Sequence, residues 1–132
     1  MMKFPIITIT AGALFAIGFA AGSTAASAHH SVQMYDMQQE VTVSGTVKEF
    51  QYTNPHSWLL VDVKNDDGTS TVWGFEAEGP GILMRAGIMR NSLPAGTKVT
   101  VTGHPMKDGR PAATWVKLEM EDGTEMVPRA QR

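Results

Sequence analysis

The stretch VTVSGTVKEFQYTNPHSW, running from Val41 to Trp58, decides how the chain folds. Val41, Val43, Gly45 and Val47 recur at every second position, the period of a half-buried strand. Phe50 and Tyr52 then take the apolar role on the opposite parity. A one-residue slip exchanges the two faces of a strand. The change therefore predicts a bulge near Lys48 or Glu49, with Gly45 permitting sharp curvature. The run ends at Asn54-Pro55, because proline has no N–H for a ladder and turns its predecessor away from helix. His56 is expected at the tip of that turn, with Trp58 anchoring it from behind. A long bent strand and an immediate antiparallel partner are the expectation.

The rest of the chain continues the pattern. Trp58 to Val63 is the second strand, and Asn65-Asp66-Asp67-Gly68 is a hairpin turn in which glycine takes positive φ. Thr69 to Ala77 is the third strand, with Trp73, Phe75 and Ala77 alternating against Val72, Gly74 and Glu76. Gly79-Pro80-Gly81 breaks it. Pro80 suits the first turn of a short helix, with Ile82, Leu83, Ala86 and Met89 on its apolar side and Gly87 or Asn91 at its end. Leu93-Pro94-Ala95-Gly96 turns into a fourth strand, Thr97 to Gly103, with Val99 and Val101 inward. His104 to Arg110 reads as a loop. Ala112 to Met120 is the fifth strand, with Thr114, Val116, Leu118 and Met120 alternating against Trp115, Lys117 and Glu119. The order βββαββ, all-β with one short helix, suits a five-stranded Greek-key barrel of the OB type. A β-sandwich or another small barrel is the alternative.

The chain has 132 residues and no cysteine, which excludes disulfides and thiolate metal sites. Its N-terminus reads as a secretory leader: Lys3 supplies the positive start, Ile6 to Ala21 carries no charge, and Ala26-Ser27-Ala28 fits the cleavage rule. Residues 1–28 are thus expected to be removed, leaving an arm over 29–39, a barrel domain over 40–125 and a frayed tail over 126–132. The uncharged run is also long enough for an uncleaved membrane anchor, but its Gly, Ala and Thr content and the cleavage site favour cutting. The product would be periplasmic or secreted, with no stable membrane insertion. Without Lys3, ten basic side chains face thirteen acidic ones, a net charge of −3. Such a balance, with no basic run, disfavours nucleic acid as a partner.

Chemistry is concentrated in four histidines, His29, His30, His56 and His104. In an OB barrel, ligands meet the face flanked by the loops joining strands one and two and strands four and five. His56 belongs to the first loop and His104 begins the second. An arm of eleven residues spans roughly 36 Å when extended, so His29 and His30 are able to fold back to that end. Imidazoles without thiolates suit Cu(II), Zn(II) or Ni(II). Cleavage after Ala28 would place a free amine on His29, and amine and imidazole of one residue chelate one ion. Cleavage after Ala26 would leave Ser27-Ala28-His29, whose third-position histidine also binds Cu(II). The competing reading makes His29 and His30 solvated, His56 a turn residue and His104 an ordinary loop residue. Met34, Met37 and Met106 are further soft donors. Asn54, Trp58, Trp73 and Met106 are candidates for a binding face, although the tryptophans also fit core positions. Asp62, Glu76 and Glu78 are carboxylates near strand ends. No Gly-rich phosphate loop, GxSxG elbow or HExxH pair occurs.

The combination His29-His30-Ser31, Tyr35-Asp36, Gly45-Thr46-Val47 with Phe50, Asn54-Pro55-His56-Ser57-Trp58, Trp73 with Glu76, Leu83 with Arg85 and Gly87, Leu93 with Gly96, then Gly103, Pro105 and Asp108-Gly109 resembles a family of small exported bacterial proteins. That family's shared domain has no assigned function. The resemblance spans the chain from His29 onward and implies an OB-like barrel, but no reaction or ligand. His104 lies outside the pattern.

These readings converge on an exported barrel that binds a transition metal, copper above all, through His29, His30 and His56, for carriage, sequestration or delivery to an envelope protein. The first alternative is a metal-free binding module using the barrel face. The second is a copper-dependent redox enzyme with an N-terminal histidine ligand, which so small a barrel with little apparent cleft disfavours.

Overall fold

The computed structural model describes residues 33–129. The leader, the cleavage site, His29 and His30 lie outside the described residues. The elements that build the fold among the described residues are, in chain order, β1 (Val41–Gln51), β2 (His56–Lys64), β3 (Ser70–Glu78), α1 (Pro80–Arg85), β4 (Lys98–Pro105), β5 (Ala112–Met120) and β6 (Glu125–Met126). The sheet runs β3-β2-β1-β4-β5, and a parallel pairing of β3 with β5 closes it into the expected five-stranded barrel. β6 adds a two-residue edge to β5, so Met126, expected to fray, pairs with Leu118.

β1 serves two partners because it bends. Val41 to Thr46 pair with β4, and Thr46 to Gln51 pair with β2. The β2 register slips between Val47 and Glu49, which is the bulge that the parity change predicts. A second slip went unread. Gly103 pairs with Trp115 but Thr102 with Lys117, so Val116 is the extra residue. Strand parity reverses there: Ala113 and Trp115 point inward before the bulge and Leu118 after it. Trp115, expected opposite Leu118, is therefore core.

Phe75, Leu59, Val61, Val47, Val101 and Leu118 fill the barrel, and Leu83, Ile88 and Leu93 plug its end. Each such side chain contributes about 1.5–3 kcal/mol by leaving water. α1 has six residues, no side-chain N-cap and Pro80 in its first turn, so packing rather than propensity holds it. Tyr52 pins both of its flanks, its hydroxyl lying 3.1 Å from the Pro80 carbonyl and 3.0 Å from that of Ile88. The chain reverses at Gly87, φ 80°, which buries Ile88 and leaves Met89, expected on the apolar side, at the surface.

Both strands that carry histidines are longer than expected. β3 continues to Glu78, so His56 finds a strand partner and opens β2 instead of capping a turn. The peptide bond before Pro55 is cis. β4 continues through His104 to Pro105, because β5 and the arm both pair there: Asp36 N–H donates to the Pro105 carbonyl at 2.8 Å, and Tyr35 bridges Met106.

Candidate functional site

Alternation along β2 sends Ser57, Leu59 and Val61 inward and His56 and Trp58 outward. On β3, Phe75 and Ala77 point inward, so Glu76 points outward. The pairings Trp58 with Glu76, Glu76 with Thr114 and Thr114 with His104 lay four strands in one row across the outer wall. His56 is diagonal to Glu76 on that wall, within reach of a long side chain.

Glu76 is nevertheless only 9% exposed. The arm covers it. Lys107 N–H donates to the Met34 carbonyl at 2.9 Å, and with the Asp36 bond this fixes the arm beside the β4–β5 loop. Tyr35, 4% exposed, then lies across the wall, and its hydroxyl donates to Glu76 Oε2. His56 Nδ1 meets the other oxygen, Oε1. A buried carboxylate costs several kcal/mol unless its lone pairs are bonded, and here both oxygens have a donor. Burial, and then the bond to Glu76 and its charge, push the Tyr35 hydroxyl above the ordinary tyrosine range, so it remains a donor.

The consequence falls on His56. An ionised carboxylate only accepts, so the neutral ring carries its proton on Nδ1. Nε2 is left with a lone pair, and the side chain keeps 30% of its surface exposed. A histidine with one nitrogen held by a carboxylate and the other open is the arrangement found behind metal ligands. It also suits a proton acceptor. Ser57 is no nucleophile for it: its side chain faces the core, 3.3 Å from the Thr53 carbonyl.

His104 shares the row but not the site. β3 and β5 lie between it and β2 along that row, and its Nδ1 lies 2.7 Å from the Gln39 carbonyl. Among the described residues no three His, Asp or Glu side chains gather closely enough to hold an ion. Of the expected binding face, Asn54 is exposed at the turn and Trp58 lies outward over Gly74. Trp73 and Met106 do not join them: Trp73 has the inward parity of Phe75 and packs on the core, and Met106 is buried beneath the arm. Met34 and Met37 are exposed. Glu78 pairs with Arg129, and Asp62 is exposed on a part of β2 facing Thr46.

Sequence reasoning placed Tyr35 in the arm over 29–39. It passed over what Tyr35 anchors to, since Glu76 at an outward position beside Gly74 reads as solvated. The available signal was a lone carboxylate diagonal to His56 once the hairpin register is drawn. A search among curated proteins finds no match to this chain. The profile of DUF6152, a family of unknown function, matches residues 17–117, well over half the chain, and the chain belongs to that family.

Proposed function

We propose that this is an exported carrier of a transition metal, copper above all, whose ligands are His56 and the histidines His29 and His30 of the arm. The observation that carries the reading is the Glu76–His56 contact, which commits Nδ1 and leaves Nε2 as a donor at the surface. The path of the arm supports it. Tyr35 is one side chain away from Glu76, and His30, five residues earlier, has a reach of up to ~18 Å from Tyr35. Two or three imidazoles and an α-amine make a nitrogen set suited to Cu(II). Carriage, sequestration or delivery needs no further machinery, and an envelope protein is the natural recipient.

The test starts from exported protein whose first residue is fixed by mass spectrometry. Titration should show one Cu(II) bound with a nitrogen-rich EPR spectrum. His56→Ala should weaken it at least tenfold, about 1.4 kcal/mol. Processed protein that ignores Cu(II), or holds it equally well without His56, sinks the proposal and leaves a metal-free module presenting the outer β2–β3 wall.

A further inference from the structure

We propose that the outer wall of β2 and β3 carries a sugar-stacking platform centred on Trp58, with a neutral β-linked glycan chain as its ligand. It goes beyond the metal reading and uses no residue of it. Trp58 points outward from β2 and is half-buried. Its six-membered ring covers Gly74 of β3: a Cβ there would stand 3.3 Å from Cε3, 3.4 Å from Cζ3 and 3.7 Å from Leu60 Cδ2. The indole thus leans across the neighbouring strand instead of standing off the sheet, and Leu60 supports it from the side. An aromatic laid over a cross-strand glycine shields bare backbone, and it also turns a ring face to solvent. A glucose-type ring in β linkage has its polar groups around its rim and C–H faces above and below, so it stacks on such a surface.

The surroundings select among ligands that stack. Gln51 of β1 pairs with Trp58, and Glu49 pairs with Leu60. Their side chains meet at 3.3 Å, so an amide and a carboxylate border the indole on its β1 side, a set that exchanges hydrogen bonds with hydroxyls. On the β3 side Glu76 is buried and already bonded to Tyr35 and His56. Single-stranded nucleic acid also stacks on tryptophan, but it uses a basic groove. Here the charged side chain in register with the platform on β1 is Glu49. Arg110, next to the Pro111 carbonyl that receives the Gly74 N–H, is paired with Asp108 at 2.7 Å. An extended peptide would add to an open strand edge. At this point both strands are flanked, β2 by β1 and β3, and β3 by β2 and β5. A neutral polyhydroxylated chain fits all three conditions.

The test titrates cellohexaose and N-acetylchitohexaose into processed full-length protein kept free of metal by EDTA, followed by 1H–15N NMR. Of the three tryptophan indole signals, that of Trp58 should move saturably together with the Gln51 side-chain amide, while those of Trp73 and Trp115 stay in place. Trp58→Ala should weaken binding at least tenfold. Trp58→Phe, which keeps an aromatic over Gly74, and Gln51→Ala should each weaken it about threefold. The cellouronate hexamer, with the same linkage and a carboxylate on each ring, should bind at least tenfold more weakly than cellohexaose. If Trp58→Ala does not fold, Trp58→Phe and Gln51→Ala decide. No saturable shift up to about 10 mM, shifts confined to other faces of the barrel, or unchanged affinity in the Trp58 variants overturns the platform, and Trp58 is then cover for Gly74. Equal binding of the uronate overturns the choice of a neutral ligand. Copper has no part in these outcomes, so the carrier reading and the platform stand or fall separately.

Discussion

Gly45 of β1 passes so close to β2 that a Cβ on it would stand 2.2 Å from the Asp62 carbonyl oxygen and 2.9 Å from Val61 Cγ1. Both obstacles belong to a paired strand, and one is backbone. The bend at this point lets β1 leave β4 and join β2, so the contact is a condition of barrel closure. Gly45→Ala should therefore destabilise the fold by about 3 kcal/mol or more, a severe overpacking cost. Urea unfolding reads it as a lower midpoint at unchanged slope. A loss below about 0.5 kcal/mol, ordinary for a surface site, would show that β1 shifts freely.

Tyr52 joins the end of β1 to both flanks of α1 through one hydroxyl. Phenylalanine keeps the edge contact with Phe50, whose centroid is 5.5 Å away, and drops only the polar link. Tyr52→Phe should cost about 1 kcal/mol, the net worth of one such bond. Local hydrogen exchange should rise more at Ala86 and Ile88 than in β2. Uniform acceleration across the barrel would mean that α1 has no independent opening.

Much of this architecture was legible because local rules and the fold agree. Val43, Val47, Phe50 and Tyr52 announce a strand and its bulge, and Asp67-Gly68 announces the hairpin. The second bulge was hidden because Val116 and Leu118 keep an apolar alternation across it, so Trp115 looked external. The candidate site was half legible. His56 stood out by its rarity and its turn, but Glu76 is buried by a segment forty-one residues earlier in the chain. Period-two reasoning sees which face a residue takes and not what later covers that face. For the same reason Met106 seemed part of an open surface, when the arm lies on it.

Burial and the Glu76 carboxylate raise the Tyr35 hydroxyl above its ordinary value. A group whose pKa is raised by folding contributes stability below its unfolded pKa, about 10 for tyrosine, and loses it as pH climbs through the folded value. Arm docking should thus be insensitive to pH up to about 10 and weaken above it. The chain has two tyrosines, so ultraviolet titration should show one ionising late, with that late step absent in Tyr35→Phe. Full-amplitude ionisation of both near pH 10 would contradict the docked arm.

Three hairpin turns share an Asp-Gly sequence, and each aspartate is held below the usual carboxylate range. For Asp67 the leading cause is the Thr69 hydroxyl, for Asp108 the Arg110 N–H and for Asp122 the Thr124 N–H. A depressed pKa stabilises above the unfolded value, near 3.9, and the contribution disappears as pH falls through the folded value. Carboxyl 13C titration should find all three still ionised at a pH where exposed carboxylates have half protonated. The stability gap between wild type and Asp67→Ala should narrow to nothing in that acid range. A gap that stays constant with pH would assign it to turn conformation instead of charge.

His104 provides the sharpest internal comparison for the metal proposal. It lies in the same row as Glu76, and like His56 it has Nδ1 engaged, at 2.7 Å from the Gln39 carbonyl. The tautomer argument alone would make both histidines donors. Position separates them, since β3 and β5 lie between His104 and His56 along that row, and His56, not His104, meets Glu76. His104→Ala should therefore leave copper affinity within about twofold, less than 0.5 kcal/mol, while His56→Ala lowers it at least tenfold. Hydrogen exchange at Gln39 should still rise in His104→Ala, because the arm loses a contact there. Equal copper losses in the two variants would mean that the ion sits between the histidines, bridged by arm residues across the Glu76 wall, and His56 would then be one ligand of a wider site.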